Sequence, residues 1–204
     1  MLLPHRELEQ VRKDMRGWLR AQRAGRFQRP GYVHITRMAI YHFHRTDSLA
    51  GTLKYLREQL DARDLKNTVQ RSEAERNLRR YVRWVRSSKP AVIKCQERIR
   101  LRLDAGAQLS GEIPRLDAVV ESDGYAGVLV GYGPPGWETE LRMPLIQRAL
   151  ASSLERDEEL VAVGVQNLDG NGLVLKTFGR REIDAAQREA RELVATAMSQ
   201  LAES

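Results

Sequence analysis

Two rhythms divide the chain. Before about residue 90 the apolar positions return every three to four residues, as along one side of a helix; from Lys94 onward they return every second residue, as on one face of a strand. The first part reads as a helix over residues 5 to 24 ended near Gly25, a loop at Pro30-Gly31, and one or two helices over 34 to 62 interrupted near Thr46-Asp47-Ser48. A further helix follows over 70 to 87. In the second part "VIKCQERIRLRL", "AQLSGEIPRLDAVVE" and "YAGVLVGY" are three strands of a meander, with turns at Asp104-Ala105-Gly106 and Ser122-Asp123-Gly124. A helix at about 140 to 155, the strands "LVAVGVQNL" and "LVLKTF" around a turn at Asp169-Gly170-Asn171-Gly172, and a helix from about 181 to 202 complete the order. The pattern predicts an α+β (α/β) fold: a helical N-terminal half followed by a mixed β-sheet flanked by helices over residues 94 to 178.

Length and composition set the outer limits. A chain of 204 residues with 42% apolar positions can bury one real core, as residues 1 to 89 and 90 to 204 packed into one compact unit. No run of 18 apolar residues is present and the first residues lack the apolar stretch of a signal peptide, so the expectation is a cytoplasmic protein without a membrane partner. The single cysteine, Cys95, reads as a small packing residue.

Charge changes the picture. Residues 1 to 103 hold 25 lysines and arginines against 10 aspartates and glutamates, a balance of +15, while residues 104 to 204 hold 9 against 17, a balance of −8. Of the 34 basic residues 28 are arginine, the side chain that forks onto phosphate oxygens and stacks on bases. This favours nucleic acid, DNA first, as partner; a GC-rich coding sequence would give the same excess. Arg20, Arg23, Arg26 and Arg29 recur every third residue, and Arg76, Arg79, Arg80, Arg83 and Arg86 lie at helical spacing opposite Leu78, Tyr81, Val82 and Val85. Either stripe suits a phosphate backbone, and either suits a merely solvated face. Trp84 sits nearer the arginine side, where it stacks or packs.

Other polar clusters carry little. His34, His42 and His44 are close in sequence, but a helix does not put them on one face and no carboxylate or cysteine joins them at ligand spacing. Phosphate-loop, dinucleotide and nucleophile-elbow motifs are absent, and no cofactor is expected.

The meander has a further property. "GEIPRLD" opens its second strand as G-x-I-x-R-L-D, the third strand runs into "VGYGPPG", and the next helix opens "LRMPL". Over about residues 90 to 200 this resembles the RecB-like branch of the PD-(D/E)XK nuclease superfamily, which implies a restriction-endonuclease-like core. Family members typically read G-x-I-D-R-hydrophobic-D, then D-Y-K-T-G, then Q-x-P-L-Y. There two acids hold a divalent metal, the lysine orients the attacking water, and the glutamine and tyrosine support the substrate side. Gly111, Ile113, Arg115, Asp117, Tyr132, Gly136, Pro144 and Leu145 match that pattern. The functional positions do not: the acids fall on Pro114 and Gly131, the lysine on Gly133, the glutamine and tyrosine on Arg142 and Ile146. The resemblance thus implies a frame whose catalytic positions are lost.

Elementary chemistry points the same way. Mg²⁺ needs oxygen ligands in a near-octahedral array, and glycine and proline side chains supply none. Along a regular strand Glu112 shares the face of Pro114 whereas Asp117, an odd step away, points opposite, so Glu112 is the one migrant acid nearby, with Glu97 on the preceding strand. No lysine occurs between Lys94 and Lys176, and arginine replaces a compact ammonium poorly. Proline at 114 removes a backbone donor, which predicts a local distortion. Tyr132 and Trp137 flank the turn-forming "GPPG", with core packing the expected fate of the tryptophan.

Three readings follow. The first is a non-catalytic nuclease-fold protein that binds or holds nucleic acid through its basic helical half. The second is a structural subunit docking through its acidic half to a helicase or nuclease, as the resemblance permits in repair, phage-defence or CRISPR-associated complexes. The third is an active metal-dependent nuclease with a site rebuilt around Glu112 and Glu97.

Overall fold

The computed structural model describes residues 2–23, 31–104, 106–131, 136–168 and 172–202. The predicted elements form, with one addition at the start. Leu2–Pro4 is a short strand, β1, followed by a 3-10 turn at His5–Glu7 and two helices, α1 (Leu8–Lys13) and α2 (Met15–Arg23). The single helix expected over 5 to 24 is broken because Asp14 leaves helical geometry, at φ −149 and ψ 74, and its side chain accepts from the backbone N–H of Gly17 at 2.8 Å. A short acidic side chain that caps a new helix competes well with continuing the old one.

The basic half continues with α3 (Tyr32–Thr46), α4 (Leu49–Ala62) and α5 (Thr68–Ser88). The interruption between α3 and α4 is where expected: Asp47 takes a left-handed conformation and Ser48 caps α4 through Gly51 N–H. Asn67 caps α5 in the same way through Gln70 N–H. Leu56, Leu60 and Leu78, fully buried, bring these three helices together, each stabilising the fold by roughly 1.5–3 kcal/mol relative to exposure.

The sheet follows as β2 (Ala91–Asp104), β3 (Ala107–Val119) and β4 (Gly124–Gly131), then α6 (Arg142–Leu154), β5 (Val161–Asn167), β6 (Leu173–Lys176) and α7 (Arg180–Ala202). It is mixed: β2, β3 and β4 are antiparallel, β4 and β5 parallel, β5 and β6 antiparallel. Helices cover both faces. On one, α3, α4 and α5 pack against Ala126, Val128 and Val130 of β4. On the other, α6 and α7 cover β2, β3 and β5 through Ile99, Ile113 and Val163, with α1 and α2 packed beside them.

β3 organises the sheet. β2 pairs along one of its edges, while the opposite edge is shared, with β1 parallel to residues 108 to 110 and β4 antiparallel to 115 to 119. Between them residues 111 to 114 pair with no strand on that side among the described residues. Pro114 lies in this notch, where its missing N–H breaks no ladder, and Gln96 across from it on β2 adopts a left-handed φ of 63. The distortion expected from the proline is therefore present in both strands.

Candidate functional site

The notch opens into a cleft of about 650 Å³ between the start of the chain, α3 and the start of α6. Its cationic lining is Arg6, Arg37, Arg98, Arg100 and Arg142; among the described lining residues Glu112 is the single carboxylate. Arg98 and Arg100 reach it by strand alternation. Ile99, Leu101 and Leu103 turn to the α6 and α7 side, and the intervening arginines, with Arg102 after them, stand exposed on the other face, beyond the end of the α3–α5 layer. Arg98 lies directly across from Glu112 and Arg100 from Ser110.

The remaining lining comes from far apart in sequence. His5 follows β1 and is buried against Gly111, where a Cβ would come within 2.0 Å of its ring, so the close approach needs glycine. Burial, then the charge of Arg142, lower the pKa of His5 to about 4, so it is neutral at physiological pH. Arg37 projects from α3, and burial works against its charge. Arg142, in the first turn of α6, gives its Nε to Glu140 at 2.5 Å. Tyr41 donates its hydroxyl to Glu112 Oε1 at 3.1 Å, and burial together with that carboxylate raises its pKa.

Beside the cleft, the arginine and aspartate of "PRLD" form a buried pair. Arg115 gives Nε to Asp117 Oδ1 at 2.8 Å and Nη2 to Oδ2 at 2.8 Å, occupying both carboxylate oxygens. Its Nη1 donates to Tyr81 Oη at 2.8 Å and to Gln166 Oε1 at 3.3 Å, and Trp84 packs over the guanidinium with its ring centre 5.1 Å away. Burial opposes the Arg115 charge, but Tyr81 and Asp117 outweigh it and hold its pKa above the ordinary value. Because Tyr81 accepts from Arg115, its proton goes to His44 Nε2, 2.7 Å away. His44 is thus a neutral acceptor, its pKa lowered to about 4 by burial and then by Arg115.

Strand parity does not hold through this region. Glu112 and Asp117, an odd number of steps apart, face the same helical layer, through Tyr41 of α3 and Arg115–Tyr81 of α5 respectively. The irregular backbone at Gln96 and Pro114 turns both strands over: Cys95 packs with the α3–α5 layer whereas Ile99 faces α6. That corrects the regular-strand expectation for Asp117. Its carboxylate is nevertheless committed to Arg115.

The predicted residues divide accordingly. Gly131 and Arg142 line the cleft, Pro114 and Ile146 are buried and do not line it, and Gly133 lies outside the described residues. Glu97 and Glu112 are not brought together: Glu97 pairs with Lys94 at 2.6 Å and accepts from Ser153 of α6, on the other face of the sheet. Among the described residues no three histidine, cysteine, aspartate or glutamate side chains gather as a metal site. The three histidines also separate: His34 lines the cleft, His42 stacks on Tyr55 at 4.7 Å, and His44 joins Tyr81.

Of the arginine stripes, Arg76, Arg79, Arg80, Arg83 and Arg86 stand exposed on α5 opposite buried Leu78, Tyr81 and Val82. Arg20 is exposed on α2, Arg23 ends that helix, and Arg26 and Arg29 fall outside the described residues. Trp137 is buried as expected, and Tyr132 is likewise outside. The sequence reading missed Arg6, Arg37, Arg98, Arg100 and His5. Only the Arg98–Arg100–Arg102 alternation carried a legible signal.

Comparison with protein-family models and with curated proteins found no match. Among solved structures, the chain is similar to the crystal structure of the "Putative exonuclease" from Eubacterium rectale, with a TM-score of 0.53 and 9% identity over 87% of this chain and 71% of that one. The two share a fold. A second solved structure, that of SSO0001, aligns over 91% of this chain and 83% of its own at 7% identity and a TM-score of 0.29, too low to bear on the fold. No helix among the described residues is long and apolar enough to cross a membrane.

Proposed function

We propose that the protein binds nucleic acid on a nuclease-like frame and does not cleave it, serving to hold a strand within a DNA-processing or defence complex. The observation that carries this reading is the lining of the cleft, five arginines against one carboxylate among the described residues. A metal-dependent phosphodiesterase needs the reverse, carboxylates converging on a hard cation. Arginines around an open cleft and along a bare sheet face instead attract phosphates, release their counterions and orient a backbone without reading its sequence. The exposed arginines of α5 add a second basic surface. The fold shared with a protein named as an exonuclease fits a nucleic-acid partner.

Two measurements on the purified protein test the two halves of the proposal. Equilibrium binding to single-stranded and duplex DNA at low salt is expected to be tight, and incubation of linear DNA with Mg²⁺ or Mn²⁺ is expected to leave it intact. Metal-dependent cleavage abolished by Glu112→Gln would replace this reading with a rebuilt active site. Absence of binding at low salt would favour the structural subunit.

A further inference from the structure

Two cleft residues are placed at an energetic disadvantage. Nδ1 of His5 and Nε of Arg37 are buried side-chain nitrogens without a hydrogen-bond partner among the described residues. Leaving such a group unsatisfied destabilises a fold by an amount comparable to a lost hydrogen bond, and natural structures contain few of them. His5 is only 7% exposed and its seat is built: the ring lies against Gly111, which a side chain there would forbid. Nε of Arg37 finds no acceptor among the described residues, and the charges around it are the cations Arg6 and Arg142 with the one carboxylate of Glu112. A buried guanidinium donor left without a partner is a poor structural element and a good anion site, and Nδ1 of the neutral His5 beside it meets an anion through a proton, carried by the ring or by a phosphate monoester, whose second pKa is about 6.

We propose that Arg37 and His5 form a phosphate subsite in the cleft, and that its occupant is the terminal phosphate of a nucleic-acid strand. This rests on the nucleic-acid reading above. The chemistry favours phosphate because several arginines converge, and their forked donors match phosphoryl oxygens. A terminus suits the site better than an internal linkage because the two nitrogens are recessed. An internal phosphodiester is flanked by a sugar on each side, whereas a terminal phosphate projects and has three unesterified oxygens. The volume, about 650 Å³, is that of a small-ligand cleft and suits the end of one strand rather than a duplex. The exposed Arg98 and Arg100 then contact the linkages that follow.

The test compares oligonucleotides of one sequence carrying a 5′-phosphate, a 3′-phosphate or hydroxyl ends, by fluorescence anisotropy at fixed ionic strength. One phosphorylated end is expected to bind about tenfold tighter than the hydroxyl-ended strand, the worth of one hydrogen bond to a charged group. Arg37→Met is expected to erase that preference, so that phosphorylated and hydroxyl-ended strands bind it alike; Arg37→Lys, which keeps the charge but not the fork, serves if the first variant fails to fold. Arg76→Ala/Arg79→Ala/Arg83→Ala on α5 is expected to weaken all strands and preserve the preference. Equal binding of all three strands overturns the subsite and leaves the nucleic-acid reading intact. If no strand binds, but inorganic phosphate or a nucleoside monophosphate raises the wild-type Tm and not that of Arg37→Met, the strand assignment is overturned and the nucleic-acid reading falls with it. If no probe has an effect, both are wrong.

Discussion

Arg115 and Asp117 are tied into the structure of the sheet and the helices over it. The pair is buried, bidentate and tied to Tyr81, Gln166 and His44, so it locks β3, β5, α3 and α5 together. Removing one charge strands the other. Asp117→Asn is expected to lower unfolding free energy in urea by roughly 3–5 kcal/mol, whereas Arg115→Met/Asp117→Leu, which removes both charges, is expected to cost far less. Similar losses in both variants would contradict this view of the pair. Buried neutral histidines also make stability depend on pH. Two histidines, His5 and His44, have folded pKa values near 4 against an ordinary 6.5. The unfolded chain therefore takes up protons first as pH falls, so the neutral-histidine stability is whole above pH 6.5 and declines from there toward pH 4. Urea midpoints measured from pH 7.5 to 4.5 are expected to fall across that window. His44→Gln, which still offers Tyr81 an acceptor, is expected to flatten part of the fall.

The long helices and strands were legible because each sustains its own period over many residues. α5, for example, buries Leu78, Tyr81 and Val82 while its arginines face outward, as the spacing implied. What stayed hidden has particular causes. β1 is three residues long and exists only by pairing with β3, so "LLP" carries no period. The faces of Glu112 and Asp117 were misjudged because a left-handed glutamine opposite a proline reverses the pleat, and glutamine does not announce a positive φ. The cleft assembles His5, Arg37 and Arg142 from three remote segments, which no local pattern can reveal. α5 supplies a prediction at this scale. Replacing Arg76, Arg79 and Arg83 by alanine leaves its apolar side untouched, so circular dichroism and Tm are expected to stay near wild type. The magnitude of the log–log salt slope for DNA binding is expected to drop by about two to three. An unchanged slope would make this a solvated or protein-docking face.

Across the whole molecule the charge is partitioned by architecture as well as by sequence. The basic half is not only helical: it includes β2, whose alternating arginines carry the positive surface from the edge of the α3–α5 layer onto the bare sheet and into the notch between β1 and β4. Around that notch, which holds Gly111 and Glu112, the cleft is lined by Arg6, Arg37, Arg98, Arg100 and Arg142. The central claim is that this surface binds a strand through its phosphates. The measurement that tests it most directly is the affinity for a labelled single-stranded DNA across a salt series, wild type against Arg98→Ala/Arg100→Ala. Wild type is expected to bind tightly at low salt with a steep log–log slope, and the variant to lose about 1.4 from its magnitude, roughly 0.7 for each phosphate contact removed. An identical slope in the two proteins, or no binding by wild type at low salt, would contradict the claim.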